Sequence, residues 1–447
     1  MCLLEDGIFQ EDGVKILSKS SSKIQAVRGF KDWLPEDFIK YEYLIETAKE
    51  ILKNYNYKEI KIPILEKTEL FIRSIGEVTD IVQKETYTFQ DRNKDFLTLR
   101  PEATAGICRM IIENGLFTKP KPLKFFTIGP MFRHERPQKG RLREFFQIDV
   151  EFFGNLNPYY EAELIYMALL ILNKPLDKQE KSPFILEINS LGCERCRPKF
   201  REYLIDALNN VKEKLCRVCQ ERLERNPLRI LDCKNEICKE EVQKLKPISE
   251  FWCKECKEHF EELKKVLNDL KIEYTINPYL VRGLDYYIRT IFEIKAKELG
   301  AQDTVCAGGR YDKLLSELGG PELPAIGFAI GLERWSLCVF NNQKEKELLE
   351  KNKPEIFVAI LGKEQFSFGI KLVQDLRKEG FKTETNYEEK KLKALLREAD
   401  KLSVKKVLIL GEDEYKAGKI LLKDMETGAQ EEIALNQIIE KLKETHV

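Results

Sequence analysis

The sequence predicts an α+β fold: an antiparallel sheet flanked by helices, carrying a helical insertion and followed by a small α/β domain. Three observations carry this expectation. Residues 126–152 alternate apolar and polar with period two on either side of a basic loop. Eight cysteines crowd into a charged, helix-patterned stretch between Cys193 and Cys256. Residues 356–411 then alternate strand and helix patterns, which gives a small domain with a mostly parallel sheet.

In order along the chain, residues 1–23 end in SKSSSK and show no sustained periodicity, so a mobile extension is expected there. A catalytic-type domain is expected over 24–181. Within it, 38–54 is an amphipathic helix, 59–62 a strand stopped by Pro63, 96–99 a strand, 103–114 a helix and 161–172 another helix. Between them stand the two alternating strands. Phe126, Ile128 and Phe132 share one parity, and Thr127, Arg133 and Glu135 the other. After the loop, Phe146, Ile148, Val150 and Phe152 are apolar, while Arg143, Gln147, Asp149 and Glu151 oppose them. Pro137 and Gly140 supply turn residues for the loop at 136–142.

The Cys-rich helical insertion is assigned to 182–275. Residues 276–340 return to strands and glycines and complete the first domain. A charged linker is expected at 341–355, and the α/β domain at 356–447.

Composition narrows the function classes. With 75 basic and 75 acidic residues in 447, global attraction to nucleic acid is excluded, and any RNA contact must be local. No apolar run is long enough to span a bilayer. The opening MCLLEDGIFQEDG lacks the basic and apolar regions of a signal peptide, so a cytoplasmic location and reduced cysteines are expected. Neither a Walker P-loop nor a strand-linked GxGxxG is present, so a bound nucleotide would need arginines to hold it.

Several constellations could carry chemistry. Residues 133–143 hold five basic residues and one acid, which suits a phosphorylated ligand. Phe145 beside Arg143 offers a platform for a flat aromatic ligand. Glu102 and Thr104 fall where a strand runs into a helix, and the simplest role of Glu102 is to favour the helix dipole. Arg282 opens RGLDYY, with Gly283 for a tight turn and the Tyr286 and Tyr287 hydroxyls to orient a polar ligand. Gly308, Gly309 and Arg310 read as a Gly-Gly turn that lets backbone approach a ligand. Arg334 falls early in a helix, against the dipole, which a ligand would explain. CxxC spacing recurs at Cys193/Cys196, Cys216/Cys219 and Cys253/Cys256, with His259 three residues after the last and Cys233 and Cys238 between. These are zinc-type spacings, and buried thiols on helices are the alternative.

Taken together, LTLRPEAT, FRHERPQKGRLREFFQ, LVRGLDYY, AGGRYDKL and GFAIGLERW appear in the order found in histidyl-tRNA synthetases, which the chain closely resembles from about Ile24 onward. The resemblance implies a class II synthetase antiparallel sheet, with a C-terminal anticodon-binding domain marked by KKLKALLREADKL and VLILGEDE. It implies ATP-dependent activation of L-histidine and its transfer to tRNA(His), with Mg²⁺ accompanying ATP, by a homodimer formed around residues 35–75. Glu102, Ala103, Thr104, Gln147, Glu151, Tyr286 and Tyr287 would hold histidine. Arg133, Glu135, Arg141, Arg143, Phe145 and Arg334 would hold ATP, with Arg133, Arg282 and Arg334 carrying the catalysis. Arg136 and Gln138 would lie near the tRNA acceptor end. No metal is required by the resemblance, and a structural zinc would fall to Cys216, Cys219, Cys253 and Cys256. Asp149 and the number of cysteines depart from the family pattern. A regulatory paralogue without the anticodon-binding domain and the RGLDYY element is disfavoured, since this chain has both. A zinc-dependent nucleic-acid-binding protein would leave the arginine motifs unexplained.

Overall fold

Burial of one strand face decides where the alternating segment lies. Phe126, Ile148, Val150 and Phe152 are nearly inaccessible and join Tyr41, Leu44, Ala48, Ile165 and Ala168 in one core. The computed structural model describes residues 23–76, 79, 81–177 and 181–444, and divides into two units, Met1–Phe340 and Asn341–Val447. Apart from Lys23, the expected extension lies outside the described residues.

The first unit opens with α1 (Pro35–Asn54), β1 (Lys58–Glu59), β2 (Leu65–Lys67) and α2 (Thr68–Ile75). β3 (Tyr87–Gln90), β4 (Phe96–Leu99) and α3 (Thr104–Glu113) lead to the long pair β5 (Leu123–Phe132) and β6 (Glu144–Phe153). After α4 (Pro158–Asn173) come β7 (Phe184–Ser190), α5 (Arg197–Asn209), α6 (Arg217–Arg225), α7 (Glu236–Gln243) and α8 (Lys254–Asp269). β8 (Thr275–Ile276), β9 (Thr290–Ala296), β10 (Thr304–Tyr311), α9 (Leu314–Glu317), β11 (Ala325–Gly331) and α10 (Leu332–Val339) complete it.

Eight strands form one sheet in the order β1-β5-β6-β11-β10-β9-β7-β8, antiparallel except for its two edge pairs. The register sets Thr127 opposite Asp149, Phe125 opposite Glu151, and Glu151 opposite Gly327 on β11. α1, α4 and α8 cover the even-numbered face of β6. The odd-numbered face is not solvated: Thr127, Asp149 and Glu151 are each 2% exposed or less.

Three expectations change in this unit. The strand foreseen at 59–62 shortens to β1, because Pro63 cannot donate to a ladder. The insertion foreseen at 182–275 begins and ends too generously. β7 pairs along its whole length with β9, and Phe260, Leu263 and Leu267 of α8 belong to the main core. The excursion between them runs from Cys193 to about Cys253. Gly308 and Gly309 do not form a turn. They lie inside β10, where a Cβ on Gly308 would stand 2.2 Å from the Gly327 carbonyl oxygen. Glycine is there for packing rather than for a ligand.

Arg310 points away from the odd-numbered face into a buried polar cluster. It donates to Glu161 at 2.9 Å and to both carboxylate oxygens of Asp312. Glu161 also meets His259 Nε2 at 3.0 Å and the Thr290 hydroxyl. Burial raises the Glu161 pKa, but these partners outweigh it and the net shift is downward.

In the second unit, the linker foreseen at 341–355 is largely a helix, α11 (Asn342–Asn352). Asn341 caps it by accepting from the Lys344 N–H, and it buries no residue. β12 (Ile356–Ile360), α12 (Phe366–Lys378), β13 (Thr383–Thr385), α13 (Leu392–Lys401) and β14 (Lys406–Leu410) follow. Then come α14 (Glu412–Lys416), the hairpin β15 (Lys419–Asp424) and β16 (Gln430–Ala434), and α15 (Ile438–Glu444). The sheet order is β13-β12-β14-β15-β16, with β12 parallel to both neighbours. β14–β15 and β15–β16 are antiparallel, so the sheet is mixed rather than mostly parallel. Every residue of β12 is buried, because α12 and α15 pack on one face and α13 on the other.

Candidate active site

A cleft of about 220 Å³ opens over the odd-numbered face of β6. Its walls are the β5–β6 hairpin, β10, β11, the start of α3 and the loop at 282–287. Its two ends differ chemically.

One end is acidic and sunk into the sheet. Glu151 accepts from the Thr104 hydroxyl at 2.6 Å and from the Tyr311 hydroxyl at 2.5 Å. Gly327, directly across the ladder, leaves the space: a Cβ there would stand 1.7 Å from Glu151 Oε2. Burial pushes the Glu151 carboxyl up to about 8, with Asp149 and Glu102 adding and the two hydroxyl bonds opposing. Asp149 is also pushed up to about 8, by burial first and then by Glu102, against the pull of Arg100 and Arg133. Its Oδ2 and the Gln147 Oε1 are buried with no hydrogen-bond partner among the described residues. Both residues line the cleft, so these polar atoms face its interior.

Glu102 fulfils its plainer expectation as well as lining the cleft. Its carboxylate accepts from the Thr104 N–H at 2.7 Å and the Ala105 N–H at 2.9 Å, closing the first turn of α3. Tyr286 and Tyr287 form the roof, their rings 4.7 Å apart, and Tyr286 meets Tyr311 edge-on at 5.4 Å.

The other end is basic and aromatic. The Arg133 guanidinium lies 5.2 Å from the centre of the Phe145 ring, while its Nε donates to the Pro101 carbonyl at 2.9 Å. Arg141 is paired with Glu135, and Arg282 with Glu293. Arg334 donates to the Gly140 carbonyl at 3.0 Å and to the Thr304 carbonyl at 2.7 Å. Those bonds fix its direction and answer its apparent misfit early in α10. They also tie the hairpin loop to β10.

Four expected site residues stand apart from the cleft. Ala103 is in the core beneath α3. Arg143 turns away: its Nε donates to the Glu135 carbonyl at 3.1 Å, its Nη1 to the Arg28 carbonyl at 3.3 Å, and its stem covers Gly29. Arg136 and Gln138 are exposed in the hairpin loop. The remaining expected residues, Glu102, Thr104, Arg133, Glu135, Arg141, Phe145, Gln147, Glu151, Arg282, Tyr286, Tyr287 and Arg334, all line it.

The four cysteines expected to take zinc divide between two groups. Cys216 and Cys219 gather with Cys233 and Cys238, whereas Cys253 and Cys256 gather with Cys193 and Cys196. His259 is engaged by Glu161 instead. Tyr311 and Gly327 were missed. The signal for Tyr311 was its parity with Gly309 on a strand whose other face is core, and for Gly327 its place midway along an otherwise apolar strand.

Comparison with known proteins agrees with the geometry. The family model for histidyl-tRNA synthetase matches residues 29–182 and 205–335, and that for an anticodon-binding domain matches 355–445. The histidine–tRNA ligase of Thermodesulfovibrio yellowstonii is 46% identical over 94% of this chain and 98% of its own. That of Aquifex aeolicus is 46% identical over 93% of this chain and 100% of its own. The crystal structure of an apo histidyl-tRNA synthetase from S. aureus superimposes with a TM-score of 0.78 at 34% identity, covering 94% of this chain and 100% of that one. The gap in the family match, 183–204, holds β7 and the first two cysteines of the excursion. The chain belongs to the histidyl-tRNA synthetase family.

Proposed function

We propose that the cleft activates L-histidine with ATP and passes it to the 3′ end of tRNA(His). The observation that carries the reading is the division of one cleft into a buried acidic end and an arginine–aromatic end. The ammonium and hydrogen-bonding imidazole of histidine suit the first and a nucleoside triphosphate the second.

The histidine carboxylate is ionised at neutral pH, so the first step needs placement rather than a strong base. A carboxylate oxygen forms a bond to the α-phosphorus as the bond to the bridging oxygen breaks and pyrophosphate leaves. Arg282 and Arg133 would stabilise the charge that spreads over the α-phosphoryl oxygens. Arg334 and Arg141 would take the outgoing phosphates, and Phe145 the adenine ring. In the second step a terminal ribose hydroxyl of tRNA attacks the adenylate carbonyl and AMP leaves. Glu102, Thr104, Gln147 and Asp149 would meet the ammonium group, and Glu151 with Tyr311 and Tyr287 the imidazole. Arg136 and Gln138, exposed in the loop, would meet the acceptor end, and residues 355–445 would read the anticodon. Mg²⁺ would accompany ATP and neutralise its phosphates. Glu135 and Glu293 are the carboxylates of the kind it takes on that side, each held here by an arginine.

A second copy of the chain is the partner this reading includes. Ile64, Leu65, Ile72, Phe89 and Phe96, on or beside the small sheet β2-β4-β3, are each at least 39% exposed, and such side chains would be covered by a second copy. No described helix is long and apolar enough to cross a membrane.

Three outcomes are expected. The pure protein catalyses histidine-dependent exchange of pyrophosphate into ATP. Arg282→Ala abolishes most of it, and Glu151→Gln lowers kcat/KM for histidine by about 10–100-fold, the cost of a buried hydrogen-bonding group left mismatched. Exchange with no histidine dependence would refute the assignment.

Asp149 sets a pH dependence of stability. Between an unfolded value of about 3.9 and a folded value of about 8, the folded protein keeps a proton that the unfolded chain has released. Stability therefore falls as pH rises through that window. The advantage of Asp149→Asn over wild type, read from unfolding midpoints, should grow from about pH 4 to about pH 8 and then level. A pH-independent difference would contradict it.

Equilibrium sedimentation tests the partner: wild type should run as a dimer and Phe96→Glu as a weaker dimer or monomer. A monomeric wild type would exclude it.

A further inference from the structure

The excursion between β7 and α8 carries two sites that the chemistry of the cleft does not use. We propose that each is a four-cysteine site for one zinc ion, and that together they brace the loop forming the roof of the histidine end. The first set is Cys193, Cys196, Cys253 and Cys256; the second is Cys216, Cys219, Cys233 and Cys238.

Geometry favours a single tetrahedral ion at each. A zinc ion with Zn–S bonds of about 2.3 Å has sulfurs about 3.8 Å apart at the tetrahedron's edges. The Sγ separations are 3.6 Å for Cys193–Cys196, 3.9 Å for Cys193–Cys253 and 3.9 Å for Cys196–Cys256. In the second set Cys216–Cys233 is 3.8 Å. Disulfides would draw the sulfurs into pairs at about 2.05 Å, whereas here all four in each set lie within 4.8 Å of one another. Backbone N–H groups point at the sulfurs: Cys253 N to Cys196 Sγ at 3.1 Å, and Cys216 N to Cys238 Sγ at 3.2 Å. Such donors stabilise thiolate ligands and fix their direction. Gly192, at φ +68°, makes the turn over the first set, where a Cβ would stand 2.8 Å from that of Cys196.

The excursion needs such staples. It is a segment of some 60 residues built from short helices and 3-10 turns, with no strand among its described residues to tie them together. The first site joins its two ends, since Cys196 caps α5 and Cys253 caps α8. The second ties the start of α6 to α7.

Each tied element then grips the loop at 282–287. Arg197, next to Cys196, donates to the Asp285 carbonyl at 3.0 Å and to the Tyr287 carbonyl at 3.2 Å. Asn226, which ends α6, donates to the two Asp285 carboxylate oxygens at 2.8 and 3.1 Å. Metal at both sites therefore holds Tyr286 and Tyr287 over the cleft. This last link rests on the histidine reading above; the metal content does not.

Elemental analysis of the untagged full chain, purified without chelator, is expected to give two zinc ions per chain. Cys253→Ser/Cys256→Ser and Cys216→Ser/Cys219→Ser should each remove one of them. Wild type stripped of metal and titrated with Co²⁺ should develop intense thiolate-to-metal absorption that saturates at two equivalents, which does not depend on any variant folding. Two bound ions, together with a higher KM for histidine and faster proteolysis between residues 197 and 250 after stripping, would support the whole proposal. Two ions with an unchanged KM would overturn only the bracing of the loop. Less than one equivalent of metal, iron in place of zinc, or Co²⁺ saturating at one equivalent would overturn the two sites.

Discussion

A carboxylate buried in the middle of an antiparallel sheet is the constraint around which this site is arranged. Glu151 stands on an interior strand of the eight-stranded sheet, 2% exposed, where an uncompensated charge would be costly. The fold meets that cost locally. Gly327 vacates the space beside it, Thr104 and Tyr311 donate to its two oxygens, and its pKa rises until a proton is held near neutrality. Thr104 can reach it because Glu102 closes the turn that starts α3. Tyr311 can reach it because Gly308 and Gly309 let β10 lie close to β9 and β11.

The opposite end of the cleft is built by different means. Its arginines are held by carbonyls, a carboxylate and an aromatic ring that fix their direction: the Pro101 carbonyl and the Phe145 ring for Arg133, the Gly140 and Thr304 carbonyls for Arg334, Glu293 for Arg282. A chain with no net charge thus concentrates cations in one small region and acids in another. Local arrangement, rather than overall charge, would draw phosphates to one end and an ammonium to the other.

Much of this was legible in the sequence, for definable reasons. The period-two pattern of Phe126, Ile148, Val150 and Phe152 located the core face, because one buried face leaves a clear alternation. The opposite face reads as polar yet suited to a ligand, and what the pattern does not reveal is its cover, since α3 and the loop at 282–287 come from distant sequence. Arg143 shares the parity of Gln147, yet Gly29 draws its side chain away. β7 was absorbed into the insertion because its neighbour β9 is about a hundred residues later, and only the pairing reveals it. The cysteines show the same limit. CxxC spacing marked pairs correctly, but which pairs meet is decided by the fold, and Cys233 and Cys238 complete a set that spacing alone assigned elsewhere.

The measurement that tests the central claim most directly is equilibrium binding to Gly327→Ala. A methyl group there would stand 1.7 Å from Glu151 Oε2 and displace that carboxyl without removing any charged side chain. If the position of Glu151 defines the histidine end, calorimetry will show ATP binding retained and histidine binding lost. Histidine binding as tight as in the wild type would contradict the account.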